Sequence, residues 1–277
     1  MPRSPITFAS IAGRYLSDRI VCDHYAASLT RLAGEAGPIS ADSLNLYLRS
    51  RLAKCSASTV KNNRTVLVSL WRWAYEAGLV DNAPRGVVRI KASRAPTRAW
   101  TQDEIRLAIA RCSEYGVHRL RSGAAVGKWL KAWLLLGYEA GSRFGDLWRL
   151  TGENLDGDVI RWTQSKTGDG IHKVLSKPCV AACMEMLAQS PDGRILGWAC
   201  KKRQAMRLMR SHLDLCGLVG TSKFLRRSGA THIEIISPGM ATRHLGHRTA
   251  TLAAMAYIDW GQVRRESPQT PSLLGDN

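Results

Sequence analysis

Acidic residues are scarce in this sequence: 22 Asp and Glu stand against 40 Lys and Arg among 277 residues, for a formal net charge of +18. A chain so poor in carboxylates suits a polyanionic partner, because clustered cations release the counterions condensed on nucleic acid. The excess is not a basic tail. Residues 1–99 hold 15 Lys and Arg against 6 Asp and Glu, half of the surplus, so two basic lobes are expected to face the same polyanion. Long apolar runs are also missing. The greasiest stretch, around Trp133–Gly137, is far too short to span a bilayer, and the opening MPRSPITF lacks the apolar core of an export signal. The seven cysteines are scattered and odd in number, which fits free thiols in a reducing compartment. Cys179 and Cys183 share a helix face, but no His or Cys pair at metal spacing accompanies them, so both are expected in the core and no metal is expected. No internal repeat is present.

What is present is mostly helix. Apolar residues at three-to-four spacing mark helices over Ile6–Asp18, Cys22–Leu32 and Ala41–Leu52, the third with Ser40 and Asp42 as candidate caps. A longer helix over Ser58–Ala77 has an apolar face of Val60, Leu67, Leu70, Trp71 and Ala74, and a polar face with Lys61, Arg64 and Arg72. Gly78 suits its end. Periodicity then stops between Asp81 and Arg98, where Pro84, Pro96 and a series of cations including Arg94 and Arg98 read as a basic linker. Three parts follow: a helical domain over 1–80, a linker over 81–99 and a second domain over 100–277.

The second domain opens on Thr101-Gln-Asp-Glu104, a capping box. An apolar helix over Gly127–Ala140 ends at Gly141, and Phe144–Leu150 follows as a short helix. Val159–Ser165 and Ile171–Leu175 alternate like two strands of a hairpin around Thr167–Gly170. Helices resume over Pro178–Gln189, Lys201–Cys216, Ser222–Ile235 and Pro238–Leu245, the last read as Ser237 capping a helix with proline in its first turn. A final short helix holds Tyr257, and the tail from Gly261 reads as irregular. The fold class expected is mainly α, with a small antiparallel β-hairpin sheet.

Six polar side chains stand in order through this domain: Arg143, Lys166, Lys223, Arg226, His247 and Tyr257. Cleaving a phosphodiester with a side-chain nucleophile requires fixed positive donors on the nonbridging oxygens, a proton for the leaving 5′-oxygen and an in-line nucleophile. Arginine suits the first task through its permanent charge and planar fork. Lysine suits the second, and a tyrosine hydroxyl the third. Tyr138, inside a long apolar helix, is badly placed for attack.

The residues around these positions resemble the tyrosine recombinases, the phage-integrase family. Ala140-Gly-Ser-Arg143-Phe-Gly-Asp146 is similar to the family's first arginine motif. Gln164-Ser-Lys166-Thr-Gly168 is similar to its hairpin lysine, and Lys223-Phe-Leu-Arg226 to its His/Lys-x-x-Arg box. His244-Leu-Gly-His247, ten residues before Tyr257, is similar to its ending. The N-terminal lobe resembles the family's core-binding domain, so the likeness covers nearly the whole chain.

The resemblance implies a C-shaped clamp on duplex DNA and site-specific strand exchange through a covalent 3′-phosphotyrosyl intermediate, without any cofactor. Tyr257 would be the nucleophile, Arg143 and Arg226 would bind the scissile phosphate, Lys166 would serve the 5′-oxygen, and His247 would donate to the phosphate. Asp146, three residues after Arg143, would hold that arginine in place. Lys61, Arg64, Arg72, Arg94 and Arg98 are candidate DNA contacts. At Lys223 the family usually has histidine, which can take the tyrosine's proton near neutral pH. Lys223 either gives up its own proton among neighbouring cations or acts as a positive phosphate ligand; the second is the working expectation. The partners implied are double-stranded DNA with paired recombination sites and three further copies of the chain, a homotetramer on DNA, with no membrane. The location implied is cytoplasmic, nucleoid-associated if prokaryotic. With the helical lobe starting at residue 1, a simple recombinase without an extra N-terminal DNA reader is expected, and Leu273-Leu274 in the tail is a candidate dock on a neighbour. The alternatives are a DNA-relaxing enzyme like a type IB topoisomerase and a non-catalytic DNA-binding relative.

Overall fold

In the computed structural model, which describes residues 5–93, 96–246 and 249–265, helices make up most of the chain. The chain divides into two units at the 95/96 boundary, each with its own core.

The first unit is built from α1 (Phe8–Asp18), α2 (Asp23–Ala36), α3 (Ala41–Leu52) and α4 (Ala57–Glu76). Each start is fixed locally except that of α2, where Cys22 makes no side-chain cap. Thr7 and Ser10 form a capping box on α1, Ser40 caps α3 through the amide of Ser43, and Ser56 caps α4 through that of Thr59. Gly78, at φ +66°, ends α4 just beyond its C-cap, a conformation open to glycine because it has no Cβ. Phe8, Leu29, Leu32, Leu44, Leu48, Leu67 and Trp71 fill the core, with Phe8 edge-on to Trp71. Segment 81–90 lies against this bundle rather than free of it. The side-chain amide of Asn45 donates to Gly86 O at 3.0 Å and accepts from Val88 N at 2.9 Å. Arg64 donates to the carbonyls of Val87 and Val88, and Trp71 Nε1 to that of Asn82. Val87, Val88 and Ile90 pack on the core.

The second unit is organised around α6 (Val126–Glu139), whose Trp129, Leu130, Trp133, Leu134 and Leu136 are all fully buried. At roughly 1.5–3 kcal/mol for each large apolar side chain removed from water, this helix anchors the core. It packs against α5 (Gln102–Ala110), α8 (Lys177–Leu187) and α10 (Ser222–Ile236). The Thr101–Glu104 capping box starts α5 as its sequence indicates. The short α7 (Phe144–Leu147) leads to a three-stranded antiparallel sheet, β1 (Leu155–Asp156), β2 (Val159–Thr163) and β3 (Gly170–Val174). Trp162 pairs with Ile171 and Thr163 with Gly170, which places residues 164–169 in the connecting loop. β1 is an addition to the expected hairpin; two residues are too few to carry an alternating pattern.

After α9 (Lys202–Leu215) and α10 come α11 (Ala241–Leu245), α12 (Ala250–Ala256) and α13 (Trp260–Arg265). Two expectations are corrected here. Ser237-Pro238 does not start α11. Pro238 lies in a turn, and the Glu234 carboxylate does the capping, accepting from Gly239 N at 2.8 Å and Ala241 N at 3.2 Å. The stretch from Gly261 is helical through Arg265, held by Gln262 Nε2 donating to Ala99 O at 2.9 Å and by the Asp259 carboxylate accepting from Ala99 N at 3.0 Å. Leu273-Leu274 lies outside the described residues.

Candidate active site

Four short segments of the second unit converge: the turn before α7, the β2–β3 loop, the first turns of α10, and α11 to α12. Arg226, on α10, is 2 % exposed. Its guanidinium donates to Leu245 O at 2.9 Å and to Gly141 O, and its carbon lies 5.0 Å from the centroid of the Tyr257 ring. One turn earlier, the exposed Lys223 places Nζ 5.5 Å from the same centroid. Tyr257 is the C-cap of α12, just beyond its end, with Ala253, Leu245 and Ile258 packed around that segment. Its carbonyl accepts from the Thr231 hydroxyl at 3.5 Å.

Charge is concentrated at this corner. Burial pushes the Tyr257 phenol up, but Arg226 (by charge and by hydrogen bond), Lys223 and Arg143 outweigh it, so the hydroxyl ionises below its usual value of 10.0. Arg226 is lowered as well, here by burial itself. Burial, with Arg143 adding to it, lowers the guanidinium to about 10, against the pull of Tyr257 and Asp146. Tyr138 has neither feature. Its hydroxyl pairs with His232 Nδ1 at 2.8 Å and burial raises it, in keeping with a packing role. His244 is 9 % exposed and packs against Gly141 and Gly229, and burial lowers its imidazole to about 3, so it is a neutral packing group.

Arg143 is half-buried and donates from Nη1 to Gln164 Oε1 at 2.8 Å. Asp146 does not hold it. The buried Asp146 carboxylate accepts from the backbone amide of Ser165 at 3.1 Å and from the Ser165 hydroxyl, and among the described residues it forms no ion pair with Arg143. The reason is local: Arg143 is the N-cap of α7, with ψ of 146°, so the i, i+3 relation of a helix face does not reach back to it. Instead Arg143 and Asp146 grip successive residues, Gln164 and Ser165, and Arg149 Nη1 adds a bond to Ser165 Oγ at 3.1 Å. Lys166 comes next, exposed in the turn those bonds fix.

His247 lies outside the described residues, as does Arg94. Lys61 and Arg72 are exposed on α4, and Arg98 is exposed within 4.0 Å of Glu104. Arg64 is half-buried and donates to two carbonyls of the following segment. Two contributors were not singled out from the sequence. Gln164 bridges segments far apart in the chain, which leaves no local signature. Lys173 on β3 donates to Arg243 O at 3.3 Å, and burial, with Arg243 and Arg226 adding to it, lowers its amine to about 8. Among the described residues no cluster of His, Cys, Asp and Glu suited to a metal ion occurs, and no helix is long and apolar enough to cross a membrane.

The chain shares its fold with known integrase structures. It is similar to a lambda integrase dimer bound to a COC′ core site, with a TM-score of 0.75 and 20 % identity over 97 % of this chain and 81 % of that one. It is similar to a lambda integrase tetramer bound to a Holliday junction, with a TM-score of 0.73 and 20 % identity over 99 % and 82 %. The Tn1549 transposon integrase in complex with circular intermediate DNA gives a TM-score of 0.70 and 14 % identity over 95 % and 100 %. No protein-family model matches the chain, and no curated protein matches it.

Proposed function

We propose that this protein is a site-specific DNA recombinase that cleaves and rejoins strands through a 3′-phosphotyrosyl intermediate. The observation that carries this reading is the Tyr257 ring lying against Arg226 and Lys223 of the same chain, with the phenol lowered by that cationic surround. Arg226 and Arg143 neutralise the nonbridging oxygens as charge develops at phosphorus. The Tyr257 phenol, lowered by its cationic neighbours, gives its proton to solvent and attacks phosphorus as the anion. The bond to the 5′-oxygen breaks, and Lys166 supplies the proton that oxygen needs. The tyrosyl–phosphate bond retains the phosphodiester linkage, so the reverse attack by a 5′-hydroxyl rejoins a strand with no cofactor. Because the ring faces Arg226 and Lys223 of its own chain, cleavage in cis is favoured. Lys61 and Arg72 contribute backbone contacts. Exchange between two duplexes takes four protomers, and a lambda integrase, a structural neighbour, is known as a tetramer on a Holliday junction.

Covalent trapping on denaturing gels tests this. Wild type and Tyr257→Phe are incubated with nicked duplexes drawn from DNA flanking the gene. A protein–DNA adduct is expected with wild type and none with the variant, and sequencing the trapped DNA gives the site. An adduct that persists in Tyr257→Phe removes Tyr257 as the nucleophile. Tight, salt-sensitive binding with no wild-type adduct points to a non-catalytic relative.

A further inference from the structure

One fully buried polar side chain beside the phosphate-binding residues has no part in the chemistry above. Gln164 is the first residue after β2 and is 1 % exposed. Its Oε1 accepts from Arg143 Nη1 at 2.8 Å and from Thr167 Oγ1 at 3.1 Å, and its Nε2 donates to Leu245 O at 3.1 Å. The same carbonyl accepts from Arg226 Nη2 at 2.9 Å. One amide therefore links Arg143 to the carbonyl that also holds Arg226, across three segments far apart in the chain. Only one orientation of the amide satisfies all the bonds, because a guanidinium cannot accept and a carbonyl oxygen cannot donate.

Hairpin closure alone does not account for this side chain. The loop is already closed by the main chain, through Gln164 N donating to Asp169 O and Gly168 N donating to Gln164 O, both at 2.9 Å. A buried amide is costly to desolvate unless its bonds are made, and an apolar residue would fill the space without that cost. The neighbouring backbone is shaped to admit it. Gly246 sits at φ +61°, and a Cβ there would run into Ile171 and Gln164 Nε2, so glycine lets the amide reach the Leu245 carbonyl.

We propose that Gln164 is a positioning residue that holds the Arg143 guanidinium in register with Arg226, so that both meet one phosphate. The inference rests on the recombinase reading and deepens it. Gln164 touches no substrate and acts through Arg143.

The test is a double-mutant cycle in the trapping assay, using duplexes that carry the site recovered with wild type. Gln164→Met keeps the volume and removes both kinds of bond. Its single-turnover adduct formation is expected to fall by up to about a hundredfold, the cost of misplacing a reacting arrangement by about 1 Å. DNA affinity and its salt dependence are expected to stay as in wild type. In the Arg143→Ala background, Gln164→Met is expected to add nothing, since the group it positions is gone. Gln164→Glu is the second variant. It keeps an acceptor for Arg143 but sets an oxygen against the Leu245 carbonyl, and it is expected to be slow in the same way if Gln164→Met does not fold. Losses that multiply in the double variant, or an unchanged rate in both single variants, overturn the proposal. A wild-type protein that binds DNA and forms no adduct overturns the recombinase reading itself, and that failure is recognisable because wild type is then silent too.

Discussion

Arg226 and Lys166 serve the same proposed reaction from opposite structural conditions. Arg226 is 2 % exposed, tied to two backbone carbonyls and stacked on the Tyr257 ring, so its direction is set before any substrate arrives. Lys166 is exposed at a turn whose root is bolted by Asp146, Arg143 and Gln164, while its own amine reaches into solvent. A group that stabilises charge gains most from being fixed, because no reorganisation is then needed as the charge appears. A group that delivers a proton must meet an oxygen whose place is set by the DNA. A rigid root with a free tip fits that task.

The sharpest way to break this contrast is to loosen the fixed side. In Arg226→Lys a single ammonium replaces a fork that reaches two carbonyls and covers a ring, so both pre-orientation and the lowered phenol suffer. Adduct formation is expected to fall by about a thousandfold, the upper range for losing one fixed donor at a developing charge. Single-turnover trapping at saturating protein measures it. On the free side, Lys166→Ala is expected to cost about a hundredfold, the lower range for general-acid catalysis. The two losses differ in kind as well. A substrate whose leaving 5′-oxygen is replaced by sulfur departs as a thiolate that needs no proton, so it restores Lys166→Ala and leaves Arg226→Lys slow. Equal rescue of both, or of neither, removes the distinction.

The same contrast explains how far the sequence could be read. Elements whose signals are local were legible. The Thr101–Glu104 capping box, the apolar face of α4, the glycines after α4 and α6 and the strand alternation of β2 all rest on neighbours within a few residues. The order of Arg143, Lys166, Lys223, Arg226 and Tyr257 was legible because each sits in a short pattern. Partners across the fold were not. Asp146 was matched to Arg143 by helix spacing, yet Arg143 precedes the helix and the carboxylate turns to Ser165, 19 residues on. The capping of α11 by Glu234 was hidden by a more familiar Ser-Pro pair. Arg64 has the spacing of a surface cation, and only the course of residues 87 and 88 across it shows that its charge faces carbonyls.

Lys223 stands between the two extremes, exposed like Lys166 but facing the ring like Arg226, and it gives the smallest and most informative effect. Its charge is one of three that lower the Tyr257 phenol. A lowered phenol supplies the attacking anion at lower pH, so the single-turnover rate should climb with pH and level off below pH 10. Lys223→Ala withdraws one of those charges, so the phenol moves back up and the climb shifts to higher pH. At neutral pH the loss is expected to be about two- to fivefold, in keeping with one exposed cation acting on a ring. The measurement is adduct formation across the pH range for wild type and Lys223→Ala. A shift in the profile with little change in the plateau identifies Lys223 as an electrostatic neighbour of the nucleophile. A wild-type profile that bends at a lower pH and loses that bend in the variant would instead make Lys223 the base. Lys223→His separates the two again. It should shift the climb to higher pH as Lys223→Ala does if charge alone matters, because an imidazole is largely neutral over that range, and it should raise the rate near neutrality if a proton acceptor had been wanting.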